Sequence, residues 1–182
     1  MRRRNRSESM KALRHWLPCL LLLIACVVCA PASAASCSVS SNGLAFGSYD
    51  PVSTTTTAGT GFISLTCMPA CLLLVCEQVN ATVSLTTGSS GSFTLRTMKQ
   101  GGVQLGYNLY TTNGAATVFG NGTGGSGEVT YCVPALLLPC FNATYTGSPG
   151  QPFSVPFYGR IAARQDVISG AYADQLTVTV TF

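Results

Sequence analysis

Leu176, Val178, Val180 and Phe182 alternate without a break with Thr177, Thr179 and Thr181, and Phe182 is the last residue of the sequence. Successive side chains of a strand point to opposite faces, so strict alternation marks a strand with one face buried and one face wet. The apolar face needs a layer packed against it, which commits the chain to a β architecture with a core beneath its last strand. The edge of such a strand is a second constraint. Left bare, it presents a row of unpaired N–H and C=O groups, a liability in a free protein. Either another strand of the same domain covers that edge, or the covering strand comes from another chain, as in strand addition.

The rest of the chain follows the same pattern. Thr, Ser, Gly and Val are abundant, and no stretch sustains a 3.6-residue apolar period. Leu44 and Phe46 alternate ahead of a turn at Gly47-Ser48-Tyr49-Asp50-Pro51. Phe62, Ile63 and Leu65 lead into Cys67. Val79, Ala81, Val83 and Leu85 alternate with polar residues, and Phe93, Leu95 and Thr97 form another face. Leu105, Tyr107 and Leu109 follow, then a glycine-rich loop over 120–127, then Val155, Phe157, Gly159 and Ile161. About seven short strands separated by turn signals predict an all-β, immunoglobulin-like sandwich.

The first 34 residues read differently. Arg2, Arg3, Arg4, Arg6, Lys11 and Arg14 precede an apolar run from Leu17 to Ala30, and Pro31-Ala32-Ser33-Ala34 follows with small residues at the positions a signal peptidase reads. This predicts a secretory signal peptide over 1–34 and a single domain over 35–182. The apolar run is short for a membrane span of roughly 20 residues, so an uncleaved anchor is the weaker alternative. The only His and the only Trp, His15 and Trp16, leave with the leader. The remainder holds Arg96, Lys99, Arg160 and Arg164 against Asp50, Glu77, Glu128, Asp166 and Asp174, a net charge of −1. That is no basic footprint for nucleic acid.

Few side chains remain that could do chemistry. Without His, neither a Ser-His-Asp nor a Cys-His centre can be built. The five acids are scattered through turn-like contexts rather than paired across a cleft, and turn and capping roles account for them better than hydrolysis does. The glycine-rich loop lacks a Lys-Ser/Thr ending and a following helix, so it is not a phosphate loop. Asn80, Asn121 and Asn142 begin Asn-X-Thr triplets that Thr-rich sequence produces by chance. No enzyme activity, cofactor or metal is expected.

Six cysteines lie beyond the leader: Cys37, Cys67, Cys71, Cys76, Cys132 and Cys140. An even number in an exported domain predicts disulfides, with 15 possible pairings. Zinc is the alternative for the Cys71/Cys76 spacing, but no His is available and the spacing is not repeated. Two of the intervals are unusual. Cys71 and Cys76 frame Leu72, Leu73, Leu74 and Val75, while Cys132 and Cys140 frame a segment containing Leu136, Leu137 and Leu138 between Pro134 and Pro139. We expect each of these two pairs to close its own loop. A disulfide across so short a loop removes little chain entropy, so holding a loop shape is its better rationale. The leucines either pack into the core or form an exposed apolar patch of the kind that marks an interaction surface.

The ordered set of short motifs resembles the spore coat protein U domain family, the pilin-like subunits of archaic chaperone–usher pili. The residues that carry the resemblance run from Cys37 to Phe182: Cys37-Ser38-Val39, Leu44 through Pro51, Leu65-Thr66-Cys67, Arg96 with Met98, Leu105 through Tyr110, Phe119 through Thr123, Tyr158 through Ile161, Gly170 through Asp174, and Leu176 through Phe182. Ala162 departs from the Pro that often follows Gly-Arg-Ile in the family. The resemblance implies an incomplete immunoglobulin-like sandwich that lacks its final strand and is completed by a donor strand. It implies a periplasmic chaperone as the first donor, an outer-membrane usher, and then a neighbouring pilus subunit as the lasting donor. The product is a surface fibre used in attachment and biofilm formation.

It also implies a disulfide from Cys37 to Cys67. The groove residues expected to meet a donor strand or chaperone are Leu176, Val178, Val180 and Phe182, with the Phe182 carboxylate a handle for a chaperone's basic residues. Only Ala35 and Ser36 stand between the expected cleavage site and Cys37, which leaves no donor segment and points to a fibre tip. There the leucine loops would grip hydrophobic surfaces, the apolar faces of glycans or a partner subunit. A self-contained coat or matrix protein that never polymerises is the alternative.

Overall fold

The computed structural model describes residues 34–72 and 75–182. The expected leader, apart from Ala34, and residues Leu73 and Leu74 lie outside that range. Eleven strands occur among the described residues: β1 (Ser36–Ser41), β2 (Thr57–Met68), β3 (Cys71–Leu72), β4 (Val75–Cys76), β5 (Val79–Leu85), β6 (Arg96–Gln100), β7 (Val103–Tyr110), β8 (Val129–Val133), β9 (Tyr145–Thr146), β10 (Phe153–Ile161) and β11 (Val178–Thr181). The only helical turn among them is a 3-10 turn at Gly88–Ser90. No described helix is long and apolar enough to cross a membrane.

Two sheets form the body of an all-β sandwich. One runs β1-β2-β10-β7-β6, the other β11-β5-β8-β9, and β3 with β4 makes a separate hairpin. Alternation dictates which face is buried. In β2, Ile63, Leu65 and Cys67 are buried while Phe62 and Met68 are exposed; in β5, Val79, Ala81, Val83 and Leu85 point inward. These side chains meet Leu105, Tyr107, Leu109, Val129, Tyr131, Val133, Val155, Phe157 and Ile161 in one core.

Three expectations are corrected. Leu44 and Phe46 are not on a strand: residues 42–56 form a strandless segment between β1 and β2. Their alternation serves another purpose, because both lie over glycines. A Cβ on Gly59 would stand 2.9 Å from Leu44 Cδ2, and one on Gly159 would stand 2.6 Å from Phe46 Cζ. Glycine at these two paired positions makes room for the segment to dock on the sheet.

Second, the strand expected around Phe93, Leu95 and Thr97 begins only at Arg96, three residues after Phe93, with Leu95 56% exposed and Arg96 fully buried. Arg96 spans the sandwich. Its Nε and one terminal nitrogen donate to the Thr86 carbonyl at 3.2 and 2.8 Å, the same terminal nitrogen donates to the Phe119 carbonyl at 2.7 Å, and the other donates to Asn108 Oδ1 at 2.8 Å. The guanidinium also stands 5.2 Å over the Phe93 ring. Burial lowers the Arg96 pKa, opposed by the charge environment of Tyr107 and Asp174. A buried cation is tolerated only when its donors are used in this way.

Third, the first cysteine-framed interval is a two-strand hairpin rather than a bare loop, with Cys71 directly opposite Cys76.

Candidate functional site

The two sheets are not closed along one side. Among the described residues β11 pairs with β5 alone, β1 with β2 alone and β9 with β8 alone, while the β6 edge is met at Lys99 by Ala173. Side chains that should be covered are not. Val39 pairs opposite the inward-facing Leu65 yet is 46% exposed, and Phe182 is 56% exposed. Leu176, Val178 and Val180 pack against the core but remain half-exposed.

A groove lies over β7 and β10, beside the end of β1 at Ser41 and the start of β11 at Val178. Its nearer part is a cavity of about 450 Å³ with Phe157, Tyr107 and Leu109 as floor, Leu44 and Phe46 as one wall, and Leu176 and Val178 as the other. It continues into a second space of about 610 Å³ lined by Met98, Leu105, Ile161, Val167, Ile168 and Tyr172. Leu44, Phe46, Met98 and Tyr172 line both parts. Of the four residues expected from the terminal alternation, Leu176 and Val178 line the groove, while Val180, also half-buried, and Phe182 follow along the chain and line neither space. Sequence reasoning missed the floor and the opposite wall. Leu44 and Phe46 carried a usable signal in their alternation, but it was read as a strand.

The β11 wall is tethered at its upstream end by Asp174. Its Oδ1 accepts from the Ser89 and Gln175 backbone N–H groups, each at 2.9 Å, and its Oδ2 accepts from the Tyr107 hydroxyl at 2.7 Å. Burial, then the bond to Asp174, pushes the Tyr107 phenol well above its ordinary range. Nearby, Thr177 and Thr86 exchange hydrogen bonds at 3.1 and 2.9 Å. On the opposite wall, the Tyr49 hydroxyl donates to the Ala162 carbonyl and accepts from Gln165 N–H.

Disulfides join Cys37 to Cys67, Cys71 to Cys76 and Cys132 to Cys140. The last two hold the apolar segments at one pole of the sandwich. β2 ends at Met68, opposite Ser36 at the start of β1, and Val79 at the start of β5 pairs with Val133 at the end of β8. Both segments therefore leave from the pole where β1 begins. Gln78 Nε2 donates to Cys132 Sγ at 3.0 Å, tying one base to the other. The described apolar side chains there face solvent: Leu72 65%, Val75 68%, Leu136 79%, Leu137 84% and Leu138 58% exposed, with Phe141 beside them at 75%. They are not core. Leu73 and Leu74 lie outside the described residues. Among the described residues no group of three or more His, Cys, Asp or Glu side chains could hold a metal ion.

No curated protein sequence matches the chain. Among solved structures, it is similar to a chain in the crystal structure of the CsuC–CsuE chaperone–tip adhesion subunit pre-assembly complex from the archaic chaperone–usher Csu pili of Acinetobacter baumannii. That similarity has a TM-score of 0.51 and 18% identity over 81% of this chain, and it spans 40% of the other, so this chain accounts for about two fifths of that one's length. The family model of the Spore Coat Protein U domain matches residues 23–179, starting within the expected leader, and the chain belongs to that family.

Proposed function

We propose that this protein is a subunit of a chaperone–usher surface fibre, and that it works by accepting a strand from another chain. The observation that carries this reading is the groove. It is lined largely by apolar side chains, lies over β7 and β10 and is bordered by Leu176 and by Val178 at the start of the one-sided strand β11. An extended segment laid there would satisfy unpaired backbone groups of β11 with its main chain and cover Leu176, Val178 and, further along β11, Val180 with its side chains. Fully burying one such side chain contributes roughly 1.5–3 kcal/mol, so a strand covering several half-exposed ones gives a stable complex.

Family membership supports the reading, as does the fold likeness to a chain from a chaperone–tip adhesion subunit complex. In this account a periplasmic chaperone supplies the first strand, an outer-membrane usher receives the complex, and a neighbouring subunit replaces the chaperone by strand exchange. The protein is exported and ends at the cell surface; no catalytic activity is part of the reading. The test is native mass spectrometry of the protein recovered from its own periplasm, with any tag kept away from Phe182. A one-to-one complex, lost together with solubility when the partner is deleted, is the expected result. A soluble monomer with three disulfides and no partner would favour a self-contained coat or matrix protein.

We further propose a tip position, with a role in attachment and biofilm formation. The exposed leucines stand together at the pole where β1 begins, and their loops are stapled. Hydrophobic surfaces are the expected target. N-terminal sequencing of the mature protein tests the position, since a start well before residue 30 would leave a segment able to donate a strand.

A further inference from the structure

We infer that Asp174 is a positioning residue for strand acceptance: it holds β11 ready while the groove is empty, and becomes dispensable once the groove is filled. The inference rests on the strand-accepting reading and adds a mechanism to it. β11 is four residues long and is hydrogen-bonded on one side only. A short one-sided edge strand frays, and a frayed β11 offers no ordered edge for an incoming strand to pair with. Something upstream must hold it in register.

Asp174 is placed to do so. One carboxylate ties three separate parts of the fold: the 3-10 turn after β5 through Ser89 N–H, the five-stranded sheet through the Tyr107 hydroxyl, and its own segment through Gln175 N–H. Gly88 leaves the space it needs, since a Cβ there would collide with Asp174 Oδ2. The other charged groups of this region are occupied elsewhere. Arg96 is engaged by Thr86, Phe119 and Asn108, and Lys99 Nζ donates to the Ser89 carbonyl at 3.3 Å. Tyr107 and Asp174 both line the groove, so the tether joins its floor to its β11 wall.

Two states of the molecule therefore need Asp174 differently. In the empty state the tether, the two backbone bonds between Ala173 and Lys99 and the Thr177–Thr86 pair act on one-sided β11. In the filled state β11 lies between β5 and the donor, and main-chain bonds on both sides hold it. Where only an ordered β11 can accept a strand, the apparent affinity falls by the fraction of molecules in which it is ordered. Losing the tether then weakens acceptance without weakening the finished complex in proportion.

The experiment compares two forms of the mature chain. One is the bare chain, refolded by dilution to low concentration and pulse-labelled before it can aggregate. In the other, a strand of alternating valine and threonine is appended to Phe182 through an Asn-Gly turn, which favours a hairpin with β11. Asp174→Ala is placed in both, with Tyr107→Phe as a milder second variant that removes only one of the three bonds. The readout is amide hydrogen exchange at Val178–Thr181, with Val79–Leu85 as internal reference.

In the bare form, exchange at β11 should rise by about tenfold or more with Asp174→Ala, as expected for losing hydrogen bonds to a charged group, and by less with Tyr107→Phe. In the appended form both should stay within about twofold of the parent. Equal effects in the two forms, or no effect in either, would overturn the inference. Failure of the strand-accepting reading looks different: the appended strand would then give no protection to β11 in the parent chain itself.

Discussion

The groove and the leucine loops both leave apolar side chains in water, but they differ in what the backbone offers. Along the groove a bare strand edge accompanies the apolar floor, so an extended chain can be held by main chain and side chain together. At the pole the apolar residues ride on disulfide-closed segments. In the hairpin, Cys71 and Cys76 already pair with each other, and in the longer loop Ala135 N–H bonds to the Leu138 carbonyl. There only side chains are on offer. On the proposed function, exposed apolar surface has two distinct meanings in this molecule: a place for one particular strand, and a place for any apolar surface.

The largest break in that contrast should come from charge. Val180→Asp puts a carboxylate on the inner side of β11 and is expected to abolish recovery of the partner complex from the periplasm, whereas Leu137→Asp, as severe a change at an 84% exposed position, should leave recovery intact. Native mass spectrometry reads both.

The disulfides sharpen the contrast next. Replacing Cys37 and Cys67 by Ser opens a loop of sequence separation 30, which loop-closure entropy values at about 4 kcal/mol, while replacing Cys71 and Cys76 opens a separation of 5, worth about 2 kcal/mol. Denaturant midpoints of the recovered complexes should keep that order. Serine at Leu136, Leu137 and Leu138 should change stability by no more than about 0.5 kcal/mol, as for other exposed positions, yet remove adhesion to hydrophobic beads. A large drop in stability instead would mean the loop packs as core.

A smaller effect distinguishes the groove floor by pH. Tyr107, Tyr131 and Tyr145 all have phenols raised by burial. A raised folded value means stability is intact below the unfolded phenol pKa, about 10, and declines as pH climbs past it. Thermal unfolding scans from pH 8 to 11 should show that decline, and Tyr107→Phe should reduce it.

What was legible in the sequence follows from how far each signal reaches along the chain. Period-two alternation is local, so β5, β7, β10 and the β11 edge could be read directly. The groove wall could not. Leu44 and Phe46 look like a strand until Gly59 and Gly159, both distant in sequence, provide the space they dock into. Arg96 was hidden for a similar reason: its partners Thr86, Asn108 and Phe119 are each ten or more residues away, and nothing near it announces a buried cation. The leucine loops were visible, but whether they faced in or out depended on the pairing of Val79 with Val133, a register that only the assembled sheet fixes.

The disulfide at the start of β1 has a mechanical consequence. β1 zips antiparallel onto β2 from Ser36 opposite Met68 to Ser41 opposite Ile63. A pull on the start of β1 would ordinarily peel such a strand away one hydrogen bond at a time. The bridge from Cys37 to Cys67 intercepts the load at the second residue of β1 and passes it to β2, which is paired on both sides. Tension at this pole is then shared with an interior strand of the sheet rather than borne by an edge alone.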